Sequence, residues 1–278
     1  MYARAESVVW CLTLASTWHH GLVARWWAEF NRDWHSDEIE YFKHVIERSG
    51  QPALDVGCGT GRILVPCVEA GMEVHGSDAS EEMIRLCRAR LSSRSLDTDL
   101  TVASTHELDL YQRSYPTVIS CGVFGVGTTR EEDLEGLRRI RKHLTPGGSL
   151  IFDVYLPGEN SKDWLTWSKG HRPTLPSRWS KPDTRRTSDG DELVLQTRVI
   201  EFDPMEQYST REIRVKQYSD QELVNCHQYR LRLNTYFKNE IQLMLKTAGF
   251  GRVEMKGGLG DSKPTAYEDY YLMVCANI

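Results

Sequence analysis

The sequence predicts an α/β protein whose core is a doubly wound parallel sheet. Three observations carry that expectation. Between residues 52 and 157, short apolar runs alternate with amphipathic stretches at helical spacing. A turn with three glycines, in "LDVGCGTGR" over 54–62, follows the first apolar run directly. Alternating strands and helices suit a parallel sheet, because parallel neighbours need a crossover connection.

The elements follow in order. Residues 1–50 crowd Trp18, Trp26, Trp27, Phe30 and Trp34 together, then place Ile39, Phe42, Val45 and Ile46 at helical spacing. They read as one or two helices ahead of the sheet. Residues 52–56 read as a buried strand and 63–70 as a helix. The glycines therefore occupy a strand-to-helix turn, where open α/β sheets bind ligands. Further strands are expected at 73–77, 100–104, 117–121 and 149–155. Met83, Ile84, Cys87 and Leu91 make one helix stripe, with Ser80 as its cap and Glu81 and Glu82 at its positive end. Leu134, Leu137, Ile140 and Leu144 make another, which Pro146-Gly147-Gly148 is expected to stop.

Past residue 157 the pattern changes. Residues 158–190 mix Pro and Gly with Trp164, Trp167 and Trp179, and read as a loop or lid. Apolar runs at 193–195, 198–200, 213–215 and 231–233 suggest antiparallel strands, with a turn at Asp203-Pro204. A helix follows over 237–247, with Ile241, Met244, Leu245 and Ala248 on one face and Gly249 at its C-terminal cap. Two last strands are expected at 252–256 and 269–276. The division is an N-terminal helical cover over 1–50, a core over 51–157 and 235–278, and an inserted lid or substrate subdomain over 158–234.

Composition narrows the function. The net charge is −5, which disfavours a nucleic-acid binder with a basic stripe. The seven cysteines are scattered and form no CxxC pair, so a zinc site lacks its usual spacing and reduced thiols in a cytoplasm are expected. No metal site is expected. "VVWCLTLA" over 8–15 is the one signal-like stretch, at the short limit for an apolar signal region, after a mixed-charge start and with no A-x-A site, so export is not expected; no apolar run reaches membrane-spanning length.

The spacing of Gly57, Gly59 and Gly61 misses the dinucleotide fingerprint GxGxxG by one residue, and the turn has no lysine for a phosphate loop. It resembles instead the first motif of class I S-adenosylmethionine-dependent methyltransferases. The resemblance extends to Asp78 in "VHGSDAS", to "SEEM" over 80–83, to "HLTPGGSLIFD" over 143–153 and to "LMLKTAGFGRVEM" over 243–255. It implies a Rossmann-like seven-stranded sheet with an antiparallel last strand, and S-adenosylmethionine as cofactor. Asp55, Gly57, Cys58, Gly59, Gly61 and Cys121 would then line the cofactor. Asp78, followed by Ala79, would accept hydrogen bonds from both ribose hydroxyls, since one carboxylate can take two parallel donors. Relatives carry an acidic residue after the third strand, where this chain has Ser104. Adenine recognition is therefore assigned to backbone near Thr105 and His106. Arg62 is read either as a grip on the methionine carboxylate or as a surface ion pair.

Such an enzyme mainly aligns its acceptor with an already activated methyl group. His20, then His19, are the candidate bases, because a neutral imidazole can take a proton near pH 7. Trp18, Trp26, Phe124 and Tyr155 are the candidate acceptor-pocket residues. The expected activity is methyl transfer to N, O or an electron-rich carbon of a small molecule. A non-catalytic cofactor-binding regulator and a protein or RNA methyltransferase are the alternatives. A homodimer through the lid strands is also open.

Overall fold

The computed structural model describes residues 11–12 (by backbone alone), 19–32, 37–156, 165–260, 262–264 and 271–278. Trp18, Trp34 and Trp164 lie outside these described residues. So do the first residues of the lid segment and the start of the expected last strand.

The elements run β1 (Cys11–Leu12), α1 (Leu22–Asn31), α2 (Asp37–Ser49), β2 (Ala53–Val56), α3 (Leu64–Glu69), β3 (Val74–Asp78), α4 (Glu81–Ser92) and β4 (Leu100–Val102). Then come β5 (Tyr115–Ser120), α5 (Arg130–Lys142), β6 (Leu144–Tyr155), β7 (Asp183–Arg186), β8 (Glu192–Asp203), β9 (Tyr208–Ser219) and β10 (Glu222–Asn234). The chain closes with α6 (Lys238–Ala248), β11 (Arg252–Gly257) and β12 (Tyr271–Asn277).

Seven strands form one sheet in the order β11-β12-β6-β5-β2-β3-β4. β12 is antiparallel to both neighbours, and the strands from β6 to β4 are parallel. Every residue of β2 is buried, because helices cover both faces. Leu54, Val118, Ile140, Ile241 and Leu245 pack on one face. Phe42, Ile46, Leu64, Ile84 and Ile119 pack on the other.

The caps act as their residues dictate. Ser80 accepts from the Met83 N–H at 3.2 Å, and Gly249 ends α6 at φ 95°. The proline-glycine run behaves differently from expectation. α5 already ends at Lys142, and Pro146-Gly147-Gly148 lie inside β6, beside an irregularity in its pairing with β5.

The lid is a second sheet in the order β1-β10-β9-β8-β7. The runs at 193–195 and 198–200 belong to one strand of 12 residues, not two. The N-terminal cover is not wholly helical, since β1 joins the lid sheet parallel to β10. Leu22, Val23 and Trp26 of α1 share an apolar cluster with Leu193, Ile213, Val215, Tyr229 and Leu231 of the lid. No described helix is long and apolar enough to cross a membrane.

Candidate active site

β2 has β3 on one side and β5 on the other, so strand order reverses beside it. The glycine turn leaves its C-terminal end at that switch point, where a crevice opens. Gly57 and Cys58 both donate to the Ser77 carbonyl, at 2.7 and 2.9 Å. Gly57 has φ 75°, and a Cβ there would meet Val123 Cγ2 at 2.2 Å. Gly59 has φ 54° but faces open space, with no atom within 4 Å of such a Cβ. Its bareness leaves backbone accessible from the crevice. Gly61 turns the other way, onto Val65 and Cys87, and is not on the crevice wall.

Asp78, at the end of β3, reaches back to this turn. Its Oδ2 accepts from the Gly59 N–H at 2.9 Å and its Oδ1 from the Ser80 N–H at 2.8 Å. Each oxygen keeps a further lone pair for a ligand hydroxyl. Burial raises its pKa above the ordinary aspartate value, while the Ser80 and Gly59 N–H groups oppose the rise. Asp55 lies beneath, 3% exposed. Burial and then the nearby Asp78 charge push its pKa up to about 7, against a bond from the Leu64 backbone.

One cavity of about 950 Å³ runs over these groups. At the β4 end its wall is Ala103, Ser104, Thr105, His106 and Glu107. Ser104 donates to Glu107 Oε2 at 2.7 Å, so an acid does stand on this wall, three residues past the expected place. His106 Nε2 is 3.7 Å from Glu132 Oε1. Asp78, Ala79, Asp55, Gly57, Cys58 and Gly59 form the middle.

The far end lies between α1 and the lid. Trp26, Trp27 and Asn31 line it from α1, Leu195, Thr197, Arg211, Ile213, Leu231 and Leu233 from the lid, with Phe124 and Tyr155 beside them. Trp26 stacks on Phe30 with centroids 5.4 Å apart, and the Arg185 guanidinium covers Trp26. His19 is on the wall. Burial, with His20 adding to it, lowers its pKa to about 3. His20 is not among the wall residues; it meets Tyr229 edge-on, with centroids 5.0 Å apart.

Sequence reasoning missed Glu38. Arg62 pairs with it, donates to Cys121 Sγ at 3.2 Å, and Cys121 Sγ donates to Glu38 Oε1 at 2.9 Å. Burial, with Asp153 adding to it, raises the Cys121 pKa, so this wall residue is a neutral thiol and not a nucleophile. Asp133 was also missed. It accepts from Thr128, Tyr236 and Asn234, and so fastens the loop after β5 to the end of the lid. The capping box of Thr129 and Glu132 was the local signal for that helix start.

The arrangement suits a nucleoside with an amino-acid tail. It offers an acid for a diol, bare backbone and a far end lined by Trp26, Trp27 and apolar lid residues, and the described residues hold no metal-binding cluster. A family model described as a methyltransferase domain matches residues 53–148. Cypemycin N-terminal methyltransferase from Streptomyces is 33% identical over 112 residues, 40% of this chain and 44% of that protein. The chain thus spans about half the length of the curated relatives it matches. The CcbJ methyltransferase of Streptomyces caelestis superposes with a TM-score of 0.65 at 20% identity, over 90% of this chain and 94% of that one. The sugar N-methyltransferase KedS8 from Streptoalloteichus does so with 0.64 at 18%, over 96% and 98%. Residues 53–148 thus match a methyltransferase domain, and the sheet that carries them has the fold of an S-adenosylmethionine-dependent methyltransferase from Clostridium acetobutylicum, with a TM-score of 0.67 at 13% identity over 92% of this chain and 97% of that one.

Proposed function

We propose that the chain transfers the methyl group of S-adenosylmethionine to a small molecule, with an amine nitrogen as its acceptor. The carrying observation is the single cavity that joins Asp78 and the glycine turn to the space under α1 and the lid. Its volume of about 950 Å³ is at the upper end for one drug-sized ligand, which suits a cofactor with an acceptor beside it. The amine is favoured because cypemycin N-terminal methyltransferase and the sugar N-methyltransferase KedS8 are named for nitrogen chemistry.

The residues divide the work. Asp78 and the Gly59 backbone hold the nucleoside. Trp26, Trp27 and the lid residues exclude water and orient the acceptor. The bound cofactor supplies a methyl group already activated on a sulfonium. His19 is held neutral by burial and is a weak base, so it orients the acceptor by a hydrogen bond. The acceptor nitrogen enters as the free amine, and the proton it sheds after methylation leaves to water.

The test is incubation with methyl-labelled cofactor and a panel of amines, alcohols and indoles, read by mass spectrometry with fragmentation. Label on an amine nitrogen supports the proposal. Label on oxygen or carbon overturns the choice of atom. Cofactor binding without transfer to any acceptor favours a regulatory binding protein.

A further inference from the structure

The far end of the glycine turn holds an amide with one arm unmatched. Asn31 closes α1 and is 6% exposed. Its Nδ2 donates to the Thr60 hydroxyl at 3.0 Å, and Thr60, inside the turn, is 2% exposed. Its Oδ1 is shut off from solvent and accepts from no described group. A buried amide oxygen without a donor is destabilising, and buried polar atoms in native proteins are otherwise paired. Asn31 and Thr60 both lie on the wall of the cavity that holds Gly59 and Asp78.

Strand order says what meets that arm. β4, β3 and β2 lie side by side. Their C-terminal ends carry, in that order, the Ser104–His106 wall, Asp78 and the glycine turn. A nucleoside with its base at the first and its ribose at the second directs its remaining tail to the third. In S-adenosylmethionine that tail is an amino acid, with an ammonium and a carboxylate. Arg62, the cation beside the turn, is already neutralised by Glu38.

We infer that Asn31 binds the amino-acid end of the cofactor, so that the N-terminal cover recognises that end directly. The inference rests on the cofactor reading proposed above. The Thr60 hydroxyl can accept or donate. With Nδ2 on Thr60, Oδ1 accepts from the ammonium. With the amide turned over, Nδ2 donates to the carboxylate. Both partners belong to the amino-acid end, so the assignment holds in either orientation.

The test compares two ligands by calorimetry. S-adenosylhomocysteine has the amino-acid end, and 5′-methylthioadenosine keeps base, ribose and thioether without it. Asn31→Ala is expected to weaken S-adenosylhomocysteine about tenfold or more and 5′-methylthioadenosine by less than about twofold, the scale of one lost hydrogen bond to a charged group. Asn31→Asp, which keeps the side-chain volume, serves where the alanine variant does not fold. It is expected to move S-adenosylhomocysteine affinity by about fivefold or more, leaving 5′-methylthioadenosine within about twofold. Equal changes on both ligands, or unchanged S-adenosylhomocysteine affinity, overturn the inference. A wild-type protein that binds neither ligand overturns the cofactor reading beneath it.

Discussion

Replacing Asp78 tests the site most directly. The carboxylate has two jobs in the structure. It accepts the Gly59 and Ser80 N–H groups, at 2.9 and 2.8 Å, and it presents its remaining lone pairs to the cavity. Asp78→Ala removes both. Hydrogen bonds to a charged acceptor contribute about 1.5–3 kcal/mol each, and two from one diol are not additive, so the loss of binding is set at about 1–3 kcal/mol. That is roughly 5- to 150-fold in Kd. Stability should change less. Two backbone donors lose a partner, at about 1 kcal/mol each, but a desolvated charge that resisted burial is also removed. Asp78→Asn keeps one acceptor oxygen and turns an NH₂ group against one of those donors, so it should weaken binding without rescuing it. The assay is calorimetry with S-adenosylhomocysteine and with adenosine, beside a thermal melt of each variant. Both ligands should weaken together, because both carry the ribose. A natively melting Asp78→Ala protein with unchanged affinity for either ligand would show that the carboxylate only shapes the turn.

Four further outcomes follow from the same geometry. The Asp55 carboxyl sits at about 7 in the fold against 3.8 unfolded, so between these values the native state keeps a proton that the unfolded chain has lost. Stability should therefore fall as pH rises through that window, and urea titrations of Asp55→Asn should flatten the slope. His19 behaves oppositely on the acid side. At about 3 in the fold and 6.5 unfolded, it should cost stability as pH drops below 6.5, and His19→Gln should remove that loss in the same titrations. Gly57→Ala should lower the melting temperature, because its Cβ collides with Val123, whereas Gly59→Ala, strained only in its backbone, should lose cofactor affinity out of proportion to its smaller melting shift. Once an acceptor is known, Trp26→Ala should raise its KM about tenfold or more, and His20→Ala, off the cavity wall, should leave turnover within about threefold.

What the sequence made legible is local. The strand, the glycine turn and Asp78 lie within about one βαβ unit, and their chemistry is written in adjacent residues. Ser80, Gly249 and the helix stripes are equally short-range signals. The contacts that finish the site are not. Glu38 meets Arg62 and Cys121 across 24 and 83 positions, and Asp133 meets Tyr236 across 103. Nothing in either neighbourhood announces such a pairing. The lid strands read as fragments because one face carries Gln196, Arg198 and Glu201, paired with Arg214, Glu212 and Thr210, and these polar residues interrupt the apolar runs. Pro146-Gly147-Gly148 stops helices in general, but the chain had already left α5 at His143. Asn31 closes an apolar helix and looks like any polar terminus until its partner Thr60 is seen.

The union of β1 with β10 and of α1 with the lid's apolar face bears on how this scaffold can be re-engineered. Leu22, Val23 and Trp26 have their burial partners in a segment more than 150 positions away, so the two stretches are one module split by the sheet. A lid grafted from another enzyme over 183–234 alone would present the wrong surface to the host's α1 and leave Trp26 without its pocket. Under the proposed function, acceptor preference would therefore be exchanged in pairs, first helix with inserted sheet. Gly21 marks the seam to keep: it has φ 58°, and a Cβ there would run into His227 of β10 at 2.7 Å.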